Sequence, residues 1–209
     1  MHEQGTDGWL SERAGKVTAS KIADVMAKTR NGYGAGRANY MAQLVTERLT
    51  GLPTQGFVND AMRWGTETEP QARAAYALET GHSVTETGFV PHPTIKQCGA
   101  SPDGLVEADG LLEIKCPNSA THIDTLRGAA IDRKYILQMH WQLICTGRKW
   151  CDFVSFDPRM PEAMQMHIQR VELDDALATE ITSEVETFLA ELNETVADLR
   201  ARYELKEAA

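Results

Sequence analysis

Positive charge is in short supply in this sequence. The 209 residues carry 21 lysines and arginines against 30 aspartates and glutamates, a formal net charge of −9. That balance excludes a protein that coats polyanions over its whole surface, because phosphate binding draws on a cationic excess. It leaves room for a local basic lining. Cysteine is sparse as well. The four residues, at 98, 116, 145 and 151, show no CxxC spacing and no histidine at zinc-finger intervals, so reduced and mostly buried thiols are expected. No apolar run reaches membrane-spanning length, and the N-terminal residues are too polar for a signal peptide, which points to a cytoplasmic setting without membrane association. The glycine-rich stretch from Lys28 to Arg37 lacks the Gly-Lys-Ser/Thr ending of a phosphate-binding P-loop. It reads as a mobile loop. Repeats and linkers are missing too, so one domain is expected over residues 1–209, with 1–8 a flexible tail.

Hydrophobic periodicity supplies the elements. Apolar residues at Tyr40, Met41, Leu44, Val45 and Leu49 mark a core helix stopped by Gly51. Asn59 and Asp60 stand where a cap begins a second helix running to Gly81, with Pro70 expected to kink it. A short helix is expected over Lys21–Met26, with Thr18 or Ser20 as its cap. Val84 to Val90 reads as one strand, Thr121 to Asp132 as irregular or weakly helical, and Tyr135 to Ile144 as a helix ending at Gly147. Lys149 to Asp157 is a further strand. Alternating Met164, Met166 and Ile168 mark the next. Over 174–207, apolar steps of three and four predict a long amphipathic helix whose face must meet the core or another subunit.

The chemistry gathers in one short region. Two apolar runs, Gly104-Leu105-Val106 and Gly110-Leu111-Leu112-Glu113-Ile114-Lys115, flank a turn containing Asp109-Gly110, a strong hairpin signal. The hairpin brings Asp103 toward Glu113 and Lys115. These two project from one face of their strand while Ile114 points into an apolar layer. Two carboxylates with an adjoining carbonyl suit a hard cation such as Mg²⁺, which takes oxygen ligands and keeps several waters. A neighbouring lysine orients the attacking water and offsets charge on a phosphate. A solvated surface hairpin is the plain alternative, since a D-x9-E-x-K string alone is a weak signal.

Asp103, Glu113 and Lys115, set within Ser101-Pro102-Asp103-Gly104 and Glu113-Ile114-Lys115-Cys116-Pro117, resemble the signature of the PD-(D/E)XK nucleases. These motifs, with Trp9…Arg13…Val17-Thr18-Ala19-Ser20 and Trp64-Gly65-Thr66-Glu67-Thr68-Glu69, are similar to the phage lambda exonuclease and YqaJ-like viral recombinases, over about Trp9 to Pro161. The resemblance implies an α/β, restriction-endonuclease-like fold, a mixed central sheet flanked by helices. It implies two Mg²⁺ ions, with Mn²⁺ as a substitute, held by Asp103, Glu113, the Ile114 carbonyl and Glu69. Lys115 positions water, and Gln138 lies near the centre. Arg13, Ser20, Arg30 and Ser101 are assigned to DNA and its 5′-phosphate. A surface arginine and a simple cap are the plain alternatives for Arg13 and Ser20.

The implied activity is 5′→3′ exonuclease action on double-stranded DNA ends, leaving a 3′ single strand for recombination. A trimeric ring and a single-strand annealing protein as partner follow from the same resemblance, as does a phage or prophage origin in a bacterial cytoplasm. The rivals are a structure-specific or single-strand endonuclease and a non-catalytic module that binds DNA ends.

Overall fold

A computed structural model describes residues 2–30, 32–54, 56 and 59–203. The chain opens with α1 (Asp7–Arg13), β1 (Val17–Thr18), a single 3₁₀ turn and α2 (Ile22–Val25). A small hairpin, β2 (Lys28–Thr29) and β3 (Gly32–Tyr33), leads to α3 (Ala35–Thr50) and α4 (Asp60–Thr80). Next come β4 (Val84–Thr85), β5 (Val90–Pro91), β6 (Cys98–Ala100), β7 (Gly104–Val106) and β8 (Gly110–Lys115). The C-terminal half contains α5 (Ser119–Leu126), α6 (Arg133–Thr146), β9 (Trp150–Phe156), β10 (Met166–Glu172) and α7 (Asp175–Arg202).

The main sheet has the order β10-β9-β8-β7-β4, with β8 and β9 parallel and the other neighbours antiparallel. A three-stranded sheet of order β1-β6-β5 sits apart from it. Strand β8 is buried on both faces, and its alternation sorts its side chains between two helices. Leu112 and Ile114 pack with Ala72 and Tyr76 of α4, whereas Leu111 joins Met139 and Leu143 of α6. The face that carries Glu113 and Lys115 therefore looks toward α6 rather than toward open solvent.

Capping chemistry sets the helix ends. Asn59 accepts from the Met62 amide, and Gly51, Gly81 and Gly147 close α3, α4 and α6 in the left-handed conformation that glycine adopts without strain. Several expectations are corrected. The helix around Lys21 is a 3₁₀ turn followed by one turn of α2, and neither Thr18 nor Ser20 caps it by a side-chain bond. The Thr18 amide is instead taken by the Tyr40 hydroxyl. The stretch 84–90 is two strands in different sheets, and the Thr87 carbonyl between them accepts from Gln4. That bond, with a second from Gln4 to the Pro102 carbonyl, anchors residues expected to form a tail. Ser119–Leu126 is a regular helix, capped by Asn118 accepting from the Thr121 amide. Met164 precedes β10 in a 3₁₀ turn. Pro70 lies inside α4, within the helix expected to run to Gly81.

The glycine of Asp109-Gly110 has a different purpose from the one its sequence suggests. Gly110 is already a strand residue paired with Val106, and the positive φ of the turn falls on Glu107. Its missing side chain is required because a Cβ there would collide with the Trp150 ring on the neighbouring strand. The glycine-rich stretch is likewise less free than expected. Lys28 and Arg37 pair with Glu184 and Glu191 of α7, at 2.5 and 2.6 Å.

Helix α7 buries Ile181, Val185, Phe188, Leu192 and Val196 in the same core as Tyr40 and Leu44 of α3, which resolves the choice between core and partner subunit for this face. Residues 204–207 of the expected helix lie outside the described residues. Phe188 stacks on Tyr40 with ring centroids 5.6 Å apart. Phe188→Ala is expected to cost about 3–5 kcal/mol, from lost transfer energy plus a cavity. Denaturant unfolding measures this. A cost below about 1 kcal/mol would show that α7 is only loosely docked.

Candidate active site

Glu113 is the centre of the site, and it is fully buried. A carboxylate withdrawn from water demands donors, and three reach it. The Gln138 amide donates to Oε1 and the Gln142 amide to Oε2, each at 2.6 Å, and the Lys115 ammonium lies 2.5 Å from Oε1. The two glutamines are one helical turn apart on α6, so that helix presents both to β8. Gln142 escaped the sequence reading, although its i, i+4 relation to Gln138 was visible there. Its own Oε1 is buried without a hydrogen-bond partner in the described structure.

Asp103 reaches the same place from the residue just before β7. Its amide donates to the Leu112 carbonyl at 3.1 Å, continuing the ladder, and its Oδ2 accepts from the Ile114 amide at 2.7 Å. Burial raises its pKa well above the ordinary carboxylate range. Glu113 raises it further and Lys115 offsets only part of this. Burial acts against the Lys115 ammonium, yet Glu113 and Asp103 outweigh it and its pKa lies above the usual lysine value. Beside these two carboxylates Lys115 is held as a positive charge and a donor.

Glu69 takes a position one step out. Its carboxylate pairs with Arg73 at 2.5 Å, and Arg73 also donates to the Asp103 carbonyl at 3.0 Å and pairs with Glu86 at 3.1 Å. Burial raises the Glu69 pKa, Arg73 counters this, and Glu113 adds to it, so the carboxylate is within electrostatic reach of the centre. Among the described residues, no three side chains of the His, Cys, Asp and Glu types are grouped to hold an ion. The near set is the two carboxylates of Asp103 and Glu113. Hard oxygen donors of this kind fit Mg²⁺, and a cation offsets both the burial and the Glu113 repulsion that raise the Asp103 pKa.

A cleft of about 170 Å³ opens on this centre and brings Arg13, Ser20, Ser101, Asp103, Glu113, Lys115 and Gln138 together. Of the other sequence candidates, Glu69, Ile114 and Arg30 do not line it. Arg30 is exposed beside the β2–β3 turn. Trp9 organises the far wall. Its indole N–H donates to the Ser101 hydroxyl at 3.0 Å, and its ring lies 3.9 Å from the Arg13 guanidinium carbon. Burial lowers the Arg13 pKa, and its Nε is buried without a hydrogen-bond partner in the described structure. The cleft thus has an anionic floor, on which a cation fits, and a cationic wall suited to an anion.

The Asp103 environment makes a stability prediction. A carboxyl whose pKa is raised by folding contributes stability while protonated, and that contribution is lost as pH rises through its folded pKa. Asp103→Asn keeps an acceptor for the Ile114 amide and removes the repelled charge. In EDTA its melting temperature is expected to exceed the parent's at pH 8, the gap narrowing as pH falls. Thermal melts across pH check this, and a variant less stable than the parent at pH 8 would contradict it.

The sequence model of the YqaJ-like viral recombinase domain matches residues 8–149. Two solved structures of an alkaline exonuclease, LHK-Exo, are close relatives. The enzyme from Laribacter hongkongensis is 52% identical with a TM-score of 0.89, and LHK-Exo in complex with dAMP is 53% identical with a TM-score of 0.89. Each match covers 95% of this chain and 98% of the other. A phage-related exonuclease from Haemophilus somnus 129PT shares the fold at 15% identity, with a TM-score of 0.72, over 88% of this chain and 96% of its own. No curated protein matches the chain. With Asp103, Glu113 and Lys115 meeting Arg13, Ser20 and Ser101 in one cleft and the domain match spanning well over half its length, the chain belongs to the YqaJ-like viral recombinase family.

Proposed function

We propose that this protein is a Mg²⁺-dependent exonuclease that degrades one strand of double-stranded DNA from its 5′ end. It leaves a 3′ single strand for recombination by annealing. The observation that carries this reading is the meeting, in one small cleft, of the Asp103–Glu113–Lys115 cluster with Arg13, Ser20 and Ser101. The first set suits phosphodiester hydrolysis, and the second suits a terminal phosphate. The relatives at 52–53% identity are described as an alkaline exonuclease.

Asp103 and Glu113 would hold the cation, with the Ile114 carbonyl beside them and Glu69 placed for a second ion once released from Arg73. Bound Mg²⁺ supplies Lewis-acid stabilisation of the phosphate and a more acidic water. The chain's own residues do the positioning. Gln138 and Gln142 fix both Glu113 oxygens, so its carboxylate is aimed before substrate arrives. Lys115, kept charged by Glu113 and Asp103, places an ammonium where negative charge develops. The Arg13 guanidinium, oriented by stacking on Trp9, pairs with the 5′-phosphate, and the Ser20 and Ser101 hydroxyls add donors.

A net charge of −9 gives a single copy little hold on a polyanion between cleavage events. A homotrimeric ring around the duplex removes that difficulty by blocking escape, and a single-strand annealing protein is the expected partner for the product.

End-labelled linear duplex and closed circular DNA, incubated with Mg²⁺ or EDTA, test the reading. Linear duplex is expected to be degraded from its 5′ ends only with the metal. Nicking of the circle would indicate an endonuclease, and binding without hydrolysis a silent module. Lys115→Ala is expected to lower turnover by at least about a hundredfold, the scale of losing one transition-state donor, while end binding persists. Turnover within a few-fold of the parent would remove Lys115 from the mechanism.

The phosphate wall makes a separate prediction. Duplex with a 5′-hydroxyl should be digested more slowly than 5′-phosphorylated duplex, and Arg13→Ala should abolish the difference. Paired digestion time courses decide it. Equal rates on both substrates with the parent protein would refute the assignment.

A further inference from the structure

Arg73 stands between two carboxylates. Its Nη2 meets Glu69 at 2.5 Å, its Nη1 meets Glu86 at 3.1 Å, and its Nε donates to the Asp103 carbonyl at 3.0 Å. A guanidinium is a planar fork with donors in several directions, and each direction used here has its own acceptor. The charges do not match as neatly. One cation faces two anions among the described residues, one more than an ion pair needs.

The two carboxylates are held differently. Glu69 lies one helical turn before Arg73 on α4, so the two share a helix face. Glu86 follows β4, which runs antiparallel to β7, and Asp103 immediately precedes β7. Gln4 donates to the carbonyls of Thr87 and Pro102, which ties the segment after β4 to the one before β7. Nε and Nη1 of Arg73 therefore grip a fixed pair of segments. Nη2 grips the end of a flexible glutamate side chain.

Moving Glu69 away from Arg73 has a cost that depends on what remains. The Arg73 side chain is only 14% exposed, and a guanidinium so placed is strongly destabilised when every carboxylate leaves it. With Glu86 present it stays paired, and its bond to the Asp103 carbonyl keeps that backbone in place. Glu86 is 66% exposed and retains much of its hydration, so its charge is there to be used at little cost. A brace between α4 and the strands requires Nε and one carboxylate. The second carboxylate goes beyond bracing.

We propose that Glu86 is a positioning residue for the outer cation site. Arg73 holds Glu69 in the arrangement seen here, and Glu86 keeps Arg73 paired when Glu69 turns toward a divalent cation. The inference rests on the nuclease reading, in which Glu69 serves a second ion.

Mn²⁺ alone is the probe, and no DNA is required. Electron paramagnetic resonance reads free Mn²⁺ through a titration and gives the affinity of each bound ion. The parent should take up two ions. Glu86→Gln, which keeps the shape and removes the charge, should weaken the second about tenfold, a loss between those of exposed and buried ion pairs, and leave the first unchanged. Removing a nearby negative charge would also weaken a cation through its field alone, so Arg73 decides the route. In an Arg73→Gln background, Glu86→Gln should change nothing further, whereas a direct field effect would persist there. If Arg73→Gln does not fold, Arg73→Lys takes its place as a cation without the fork, and the coupling should shrink there as well. On linear duplex, Glu86→Gln should need about tenfold more Mg²⁺ for half-maximal digestion and recover the parent's kcat at saturation.

Equal Mn²⁺ affinities in the parent and Glu86→Gln would overturn the proposal, and a lower melting temperature of the variant in EDTA would then mark Glu86 as a brace. An undiminished Glu86 effect in the Arg73→Gln background would overturn it too, as would a parent that binds a single ion. None of these results touches the digestion of linear duplex. A parent that shows the Mn²⁺ coupling but fails to degrade linear duplex would instead refute the nuclease reading and leave the exchange between Glu69 and Glu86 standing.

Discussion

The burial of one carboxylate organises this molecule. Removing Glu113 from water carries a desolvation cost of several kcal/mol unless its lone pairs are filled, and the fold is arranged to fill them. Helix α6 must lie close enough for Gln138 and Gln142 to reach both oxygens. Strand β8 must run straight enough for Lys115 to stand beside the same group. That fixes the distance between helix and sheet. It also explains why β8 is apolar on its other face, where Leu112 and Ile114 pack on α4 and hold the strand from behind.

Electrostatics within the cluster follow from this arrangement. Once Glu113 is anchored, Asp103 is forced to share a poorly solvated space with a like charge, and its affinity for protons rises. Lys115 is stabilised in its charged form by the same field. Arg73 restrains the outer carboxylate, Glu69, and ties it to the Asp103 backbone. The centre is prepared for positive charge by geometry set before any ligand arrives, which is how a small site performs electrostatic work without reorganising.

Much of this was legible in the sequence, and the reasons are local. The alternation through Glu113, Ile114 and Lys115 was enough to place both charged residues on one face, and glycines at 51, 81 and 147 marked helix ends because the left-handed cap selects for them. The illegible parts depend on distant partners. Gly110 reads as a turn glycine, yet its constraint comes from Trp150, forty residues away in sequence and adjacent in the sheet. Gln4 reads as part of a tail because nothing nearby reveals the carbonyls of Thr87 and Pro102 that hold it. Arg37 reads as loop charge until α7 brings Glu191 against it. Gln142 was within reach of periodicity, but its acceptor lies on another element. Arg73 is similar, since a helix arginine next to a glutamate is ordinary until its contact with the Asp103 carbonyl is known.

The cleft's lining is drawn from residues spread between Gln4 and Gln138, including hydrogen-bonded pairs such as Trp9 and Ser101 that are 92 positions apart. Contacts at such separation form late, because loop-closure entropy must be overcome before they contribute. During synthesis the Trp9–Arg13 wall leaves the ribosome long before β8, and β8 before the glutamines of α6. A nascent or partly unfolded chain therefore contains every charged group of the centre without the geometry that makes them a centre. The geometry of the cleft is complete only once these distant segments have met, and it is taken apart when any one of them leaves the others.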